Sequence, residues 1–145
     1  MPTHRMHLKG PWQCEWLSPA DVSVASIKRV KMPIDWRSVF GEQAGRARLR
    51  RKFHKPTNLD ADERVFIVFD GIGGRGEVRL GERILGPIDE TVTTASFEIT
   101  GNLQPTNELL VELEFDPSQH PDMAGGLWGP VAIEIRTAEE SQPEF

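Results

Sequence analysis

Prolines and glycines interrupt this chain so often that it has little room for helices of ordinary length. The 145 residues include 11 prolines and 13 glycines, and few long segments lack both. A proline inside a helix removes a backbone hydrogen bond, and a glycine there lowers helix stability. The chain is therefore predicted to consist mainly of β-strands.

Strand-like patterns recur between the prolines and glycines. In residues 108–115, apolar side chains alternate along one face from Leu109 to Phe115. Residues 64–69 are continuously apolar after the first, as expected for a strand buried on both faces. The other predicted strands are residues 12–16, 26–32, 46–54, 77–80, 95–99 and 131–136. About eight strands at this spacing are typical of β-sandwiches and barrels, and the best helix candidate, residues 36–44, is short.

The length predicts one domain, residues 1–138, followed by a polar acidic tail, residues 139–145. A chain of this size can bury roughly two-thirds of its unfolded surface, so it needs no metal or disulfide to fold. The net charge of -5 disfavours a general affinity for nucleic acid or anionic lipid. We therefore expect neither nucleic acid nor membrane as a partner.

The lone cysteine, Cys14, rules out an intrachain disulfide. The first ten residues lack the apolar run of a signal peptide, and no segment approaches the roughly 20 apolar residues of a membrane span. We therefore expect a soluble, cytoplasmic protein.

Residues 65–86 contain a glycine pattern with two interpretations. Gly71, Gly73 and Gly76 fit G-x-G-x-x-G, which binds dinucleotides when it opens a helix. Here alternating, strand-like residues follow it, so the pattern predicts a connection between strands. Gly81 and Glu82 are predicted to form a type II′ turn in a tight hairpin.

The densest basic run lies in residues 46–55. Alternation places Arg46, Arg48, Arg50 and Lys52 on the solvent face, where no aromatic residues interleave to stack bases, so a solvated strand face is favoured over a nucleic-acid site. Arg51 is in register with apolar residues and is predicted to point inward. A buried arginine needs a carboxylate partner, which the sequence does not identify.

No metal site or catalytic triad is predicted. The four histidines are too dispersed for a zinc set, and Cys14 lies in an aromatic strand, where a buried, inert thiol is expected. No cofactor is predicted either. The sequence is silent on calcium, because a site built from backbone carbonyls leaves no motif.

Two of the four tryptophans, Trp36 and Trp128, lie in loop-like settings rich in glycine and proline. Aromatic faces stack on sugar rings, so both are candidate ligand platforms. The alternative is that both rings close the ends of a sandwich core.

The order of short motifs along the chain resembles the N-terminal sugar-binding domain of glycoside hydrolase family two, the beta-galactosidase and beta-glucuronidase family. The matching segments are LKGPW at 8–12, PIDW at 33–36, RRKFHKP at 50–56, FDGI at 69–72, VRLGERILG at 78–86, FEITGNLQPTNELLV at 97–111 and GGLWGPV at 125–131. The resemblance implies an all-β, galactose-binding-like jelly-roll sandwich. It departs from the family at Gly81 and Glu82, where the family has asparagine and glycine.

The family's catalytic glutamates lie in a barrel of ~250 residues, which this chain is too short to contain. The resemblance therefore does not imply hydrolysis. It matches Asp89, in the loop 87–91, to a residue that can offer a polar group to a sugar.

Three functions follow from these observations. The leading one is a non-catalytic carbohydrate-binding module, in which Trp36 or Trp128 stacks on the sugar and Asp89 accepts hydroxyl hydrogen bonds. The second is a protein-interaction module that forms a homodimer or docks on a separate glycosidase chain, because a stand-alone copy must cover the surface that packs against a barrel. The third, an independent hydrolase, requires two carboxylates about 5–10 Å apart in a cleft.

Overall fold

The computed structural model of the chain describes residues 4–19 and 27–137. Ser26 and the predicted tail, 139–145, lie outside the described residues. The strands are β1 (His4–His7), β2 (Trp12–Ser18), β3 (Ile27–Val30), β4 (Ile34–Asp35), β5 (Gly45–His54), β6 (Glu63–Phe69), β7 (Arg75–Leu80), β8 (Arg83–Ile88), β9 (Ala95–Glu98), β10 (Thr106–Phe115), β11 (Gly126–Leu127) and β12 (Val131–Thr137). One α-helix, α1 (Trp36–Phe40), and one 3-10 turn (Thr100–Asn102) complete the described elements.

The strands form two large antiparallel sheets. The four-stranded sheet has the order β1-β12-β6-β9, and the six-stranded sheet has the order β3-β2-β5-β10-β7-β8. A small ribbon pairs β11 with β4. This arrangement confirms the predicted all-β sandwich, and every strand predicted from alternation has a counterpart in it.

The core fills the space between the two sheets. Leu109, Val111 and Leu113 of β10 face it from one side, and Ile67 and Phe69 of β6 face it from the other, all at most 1% exposed. Successive side chains of a strand point to opposite faces of the sheet, so the residues between these core positions point outward. The periodicity in the sequence thus identified the buried face of β10, whereas the continuous apolar run of β6 did not distinguish its two faces.

The predicted helix is shorter than expected. It begins at Trp36 but ends at Phe40, because Gly41 adopts a positive φ of 72°, a conformation that terminates helices. The chain then returns toward the helix, and the Gln43 carbonyl accepts a hydrogen bond of 2.9 Å from the indole N–H of Trp36.

Some strands carry too little alternation to be recognised in the sequence. All four side chains of β1 are exposed, so no apolar period marks it. Strand β8 runs through Gly86 and Pro87, and it lies at the edge of its sheet, where a proline is tolerated.

The glycine-rich segment connects two strands, as predicted. Strand β7 begins at Arg75 and no helix follows the glycines. Leu80 pairs with Arg83, which leaves Gly81 and Glu82 as a two-residue turn. Only Gly81 of the two has a positive φ, 61°, as type II′ requires.

An ion network covers the outer face of the four-stranded sheet. Glu134 of β12, only 7% exposed, accepts hydrogen bonds from Arg5 at 2.5 and 3.0 Å and from Arg136 at 2.5 Å. The Arg136 guanidinium also lies 4.0 Å above the Phe66 ring. Burial alone raises the pKa of Glu134, but the hydrogen bonds from the two arginines outweigh it and the net pKa is lowered.

The lowered pKa of Glu134 predicts a pH-dependent contribution to stability. A carboxylate with a depressed folded-state pKa stabilises the fold above its unfolded-state pKa, and this contribution is lost as the pH falls. We expect Glu134→Gln to be less stable than the wild type near neutral pH. The difference should shrink as the pH falls below the ordinary glutamate value of 4.5.

Urea unfolding across this pH range measures the effect. Glu98→Gln is the matched control, because its ion pair with Arg64 at 3.6 Å is exposed on both sides and should contribute little. An equal, pH-independent loss in both variants would show that the network does not act through the Glu134 charge.

Candidate functional site

The glycine-rich connection after β6 holds several loops together at one end of the sandwich. We call residues 70–74 the glycine loop. Ile72 donates its backbone N–H to the Thr93 carbonyl at 3.0 Å, and Gly73 and Gly126 exchange two hydrogen bonds of 2.9 Å. These bonds attach the loop after β8 and the segment before β12 to the same short stretch of chain.

Glycine is required where this loop passes Gly129. A Cβ atom on Gly71 would lie 2.6 Å from both the Cα and the backbone nitrogen of Gly129, closer than real Cβ contacts. The Gly129 N–H donates to the Gly71 carbonyl at 3.1 Å. The two backbones therefore touch directly, and the glycines serve packing geometry in this fold.

Trp36 is placed beside these loops but inside the core. Its backbone N–H bonds the carbonyls of Ala124 and Gly125, at 3.3 and 3.1 Å, while its side chain is only 1% exposed. The ring packs among Trp16, Phe40 and Phe115, with centroid distances of 4.9–6.0 Å. In this conformation its faces are covered by protein.

Trp128 presents an open surface. It lies between β11 and β12 with a side chain that is 39% exposed. A Cβ placed on Gly71 would lie 2.8 Å from its Cε3 atom, so one part of the ring rests on the glycine loop. The ring is thus supported by rigid backbone and partly open to solvent.

Asp89 follows β8 and is exposed. Its Oδ1 atom accepts 2.8 Å hydrogen bonds from both the backbone N–H and the hydroxyl of Thr91. These two bonds, the backbone one first, lower the pKa of Asp89 and keep it ionised. Both bonds use the same oxygen, and no side chain or backbone group among the described residues donates to the second oxygen, which leaves it available to accept from a ligand.

A cleft of about 530 Å³ opens at this end of the six-stranded sheet, and we call it the end cleft. The starts of β5 and β7, the ends of β2 and β10, and two loops surround it. Its lining residues are Ser18, Pro19, Ala44, Gly45, Arg46, Gly74, Arg75, Glu90, Glu114, Phe115, Asp116, Gln119, His120 and Met123.

The end cleft mixes both signs of charge. Glu90 lies 3.9 Å from Nε2 of His120, whose ring stacks on Phe115 at 5.7 Å. Asp116 accepts hydrogen bonds from the hydroxyl and N–H of Ser118 at 2.7 and 3.0 Å. The Ser118 hydroxyl contributes most to lowering the pKa of Asp116, which is opposite to the raised pKa of a general acid.

The fold thus gathers the three segments that carry Trp36, Asp89 and Trp128 at one end, but none of these side chains lines the end cleft. Glu90, next to Asp89, does line it. The cleft residues escaped sequence reasoning because they come from strand ends far apart in the chain. A carbohydrate-binding role for Trp36, Asp89 and Trp128 stays a prediction.

Within residues 4–19 and 27–137, no group of three or more histidine, cysteine or acidic side chains is arranged to hold a metal ion. None of the helices in these same ranges is long and apolar enough to cross a bilayer.

The close approach of the two backbones predicts that Gly71→Ala destabilises the fold by roughly 1–3 kcal/mol, because the new methyl group overpacks the contact with Gly129. Gly101→Ala is the matched control, since nothing lies within 4 Å of its Cβ position. Urea denaturation compares the two free energies of unfolding, and similar values would contradict the close contact.

The different burial of the two tryptophans predicts different costs of truncation. Trp36→Ala should cost about 3–5 kcal/mol of stability, because it empties a fully packed site and removes the hydrogen bond to Gln43. Trp128→Ala should cost less than about 1 kcal/mol. Denaturant unfolding of both variants tests this, and equal losses would show that Trp128 is also a core residue.

No protein-family model and no curated protein matches the sequence. Solved structures do share its fold. An FMN-binding beta-glucuronidase from Faecalibacterium prausnitzii L2-6 matches with a TM-score of 0.74 and 18% identity over 93% of this chain. A putative beta-galactosidase from Bacteroides fragilis matches with 0.73 and 20% over 94%.

The beta-glucuronidase of Bifidobacterium dentium, solved with coumarin-3-O-glucuronide, matches with a TM-score of 0.72 and 18% identity over 93% of this chain. The chain spans only 23–30% of the length of these three enzymes. The resemblance noted in the sequence is therefore confirmed for the fold: this chain has the architecture of a β-sandwich domain of beta-glucuronidases and beta-galactosidases.

Proposed function

We propose that this chain is a non-catalytic accessory module that binds carbohydrate at the loop end of the sandwich. The observation that carries the proposal is the partly exposed Trp128 ring, held on the glycine loop at the end where Asp89 is also placed. The fold supports it, because the structural neighbours are enzymes named for glucuronides and galactosides.

The chemistry of Trp128, Asp89 and the end cleft suits a sugar ligand. A tryptophan face packs against the C–H groups of a pyranose ring, and a fixed ring loses little conformational freedom on binding. Asp89 is ionised, and its second carboxylate oxygen, which accepts no hydrogen bond from the described residues, can accept from hydroxyl groups. The end cleft, with Glu90 at its rim, provides room for further sugar units.

Trp36 has a supporting role in this proposal. Its backbone N–H donates hydrogen bonds to the Ala124 and Gly125 carbonyls and holds this segment, while its buried ring anchors the residue in the core. It could stack on a ligand only after the aromatic residues that cover it had moved.

Calorimetry with glucuronic acid, galactose and their oligosaccharides tests the proposal. We expect millimolar or tighter binding for at least one sugar, and Trp128→Ala should weaken it about tenfold or more, as for a central aromatic contact. Ile84→Ala is the control, because Ile84 is also an exposed apolar residue but lies in β8, outside the site. Absence of binding to every sugar at millimolar concentration would overturn the proposal.

The same samples test the hydrolase alternative. Glu90, Glu114 and Asp116 all line the end cleft, so carboxylates are present where a glycosidase would need them. We expect no release of chromophore from aryl glucuronides or galactosides. Turnover that disappears in Glu114→Gln would instead make the chain an enzyme.

The second candidate is an assembly module, and the edge strand β8 favours it. In the described part of the chain β8 ends the six-stranded sheet, and it exposes 59% of Ile84. Such an edge can pair with the same strand of a second copy. Light scattering of the wild type and Ile84→Lys tests the homodimer form of this candidate, since a dimer should appear only in the wild type and a monomer in both would exclude self-association.

A further inference from the structure

A second groove lies at the opposite end of the β5–β10 pair from the end cleft. It has a volume of about 390 Å³, and we call it the basic groove. Its lining residues are Pro11, Trp12, Gln13, Arg29, Arg50, Arg51, Lys52 and Glu108. Four cations and one carboxylate thus surround it, on a chain whose net charge is -5.

The basic groove forms because β5 is longer than its neighbour β2. The pairing between these two strands ends at Gln13 and Arg50, whereas the pairing of β5 with β10 continues to Thr106 and His54. Arg51 and Lys52 therefore project from a part of β5 that has lost one neighbouring strand. The remaining space beside them is the groove.

Carboxylates approach Arg48 more closely than they approach the arginines at the groove. Arg48 lies 3.4 Å from Glu112 and 3.7 Å from Glu15. Arg50 approaches Glu15 only at 3.9 Å, the same distance as between Arg46 and Glu112 and longer than a hydrogen bond.

Among the described residues, Arg51 lacks the carboxylate partner that the sequence led us to expect. Over the described residues its only side-chain hydrogen bond is donated to the backbone carbonyl of Lys52. It remains half-buried because the end of β2 leaves it beside an open groove rather than inside the core.

The guanidinium groups at the groove retain unused donors. The Nε atoms of Arg50 and Arg51 are both buried and have no hydrogen-bond partner in the described part of the protein. Each guanidinium carries five N–H donors in a planar fork that fits a tetrahedral or carboxylate oxyanion. Unpaired donors that are shielded from solvent are costly, so a bound anion would be favoured.

We propose that the basic groove binds a phosphate or sulfate group, free or as an ester. Arg51 and Arg50 donate to its oxygens, and Arg29 and Lys52 add charge at the rim. The single acid, Glu108, leaves the groove cationic. The groove is a pocket rather than a track, and Arg48, which would extend it along the strand, is already paired with Glu112 and Glu15. These features favour a compact anion over a nucleic-acid backbone.

Nitrogen-15 NMR of the arginine Nε–H signals tests the site directly. Inorganic phosphate is titrated near neutral pH at constant ionic strength, with sodium chloride as the matched salt. We expect the Nε–H signals of Arg50 and Arg51 to shift saturably with phosphate, while that of Arg83, an exposed residue of β8, does not. Shifts of all arginines in proportion to salt would overturn the proposal.

Two variants locate the binding energy. Arg51→Gln should raise the dissociation constant for phosphate about tenfold or more, as expected for the loss of a charge-assisted hydrogen bond. Arg29→Gln removes a charge at the rim and should raise the constant by a smaller factor. Arg29 is exposed, so its variant keeps the test valid if Arg51→Gln unfolds. Arg83→Gln removes the same charge elsewhere and should leave the constant unchanged. If Arg83→Gln raised the dissociation constant equally, phosphate would be responding to the overall charge of the protein and not to this site.

Separate titrations distinguish the source of the anion. Glucose 6-phosphate and glucose 6-sulfate are compared with inorganic phosphate and sulfate, and the neutral parent sugar is the control. Tighter binding of the esters identifies an esterified ligand, and equal binding identifies the free ion. If none of these ligands binds, the proposal is contradicted. The proposed sugar site at the loop end is unaffected by that result, because the two sites share no residue.

Discussion

The pairing of β5 with β10 is the interaction on which the rest of the structure depends. The two strands are matched over ten residue pairs, from Gly45 and Phe115 to His54 and Thr106. This register decides which side chains enter the core, because a shift by one residue would turn every core side chain outward. It also places the end cleft at one end of the ladder and the basic groove at the other.

The neighbours of this ladder decide the character of each end. At the cleft end, the ladder is flanked by β2 and β7. There the glycine loop is hydrogen-bonded both to Thr93, in the loop that carries Asp89, and to Gly129, next to Trp128. At the groove end, β2 stops pairing before β5 does. Where β5 keeps both neighbouring strands, the adjoining loops form the end cleft. Where β5 has lost β2, the basic groove remains beside it.

Much of the fold could be read from the sequence, and the site could be read only in part. The alternation in β10 and the continuous apolar run in β6 follow directly from burial on one face or both, and the hairpin at Gly81 follows from local turn chemistry. Strand β1 could not be recognised, because all its side chains are exposed. Trp36 and Trp128 have similar glycine- and proline-rich surroundings in sequence, yet one is 1% and the other 39% exposed.

The sequence by itself determined the all-β class, the core face of β10 and the role of the glycines as connections, because periodicity and backbone restrictions are local properties. Only the tertiary structure decided which aromatic ring is open, which carboxylates share a cleft and which arginines border an open groove. Those features depend on contacts between segments far apart in the chain. Arg51 is the clearest case: its pattern predicts an inward side chain, but the length of β2 determines what it meets there.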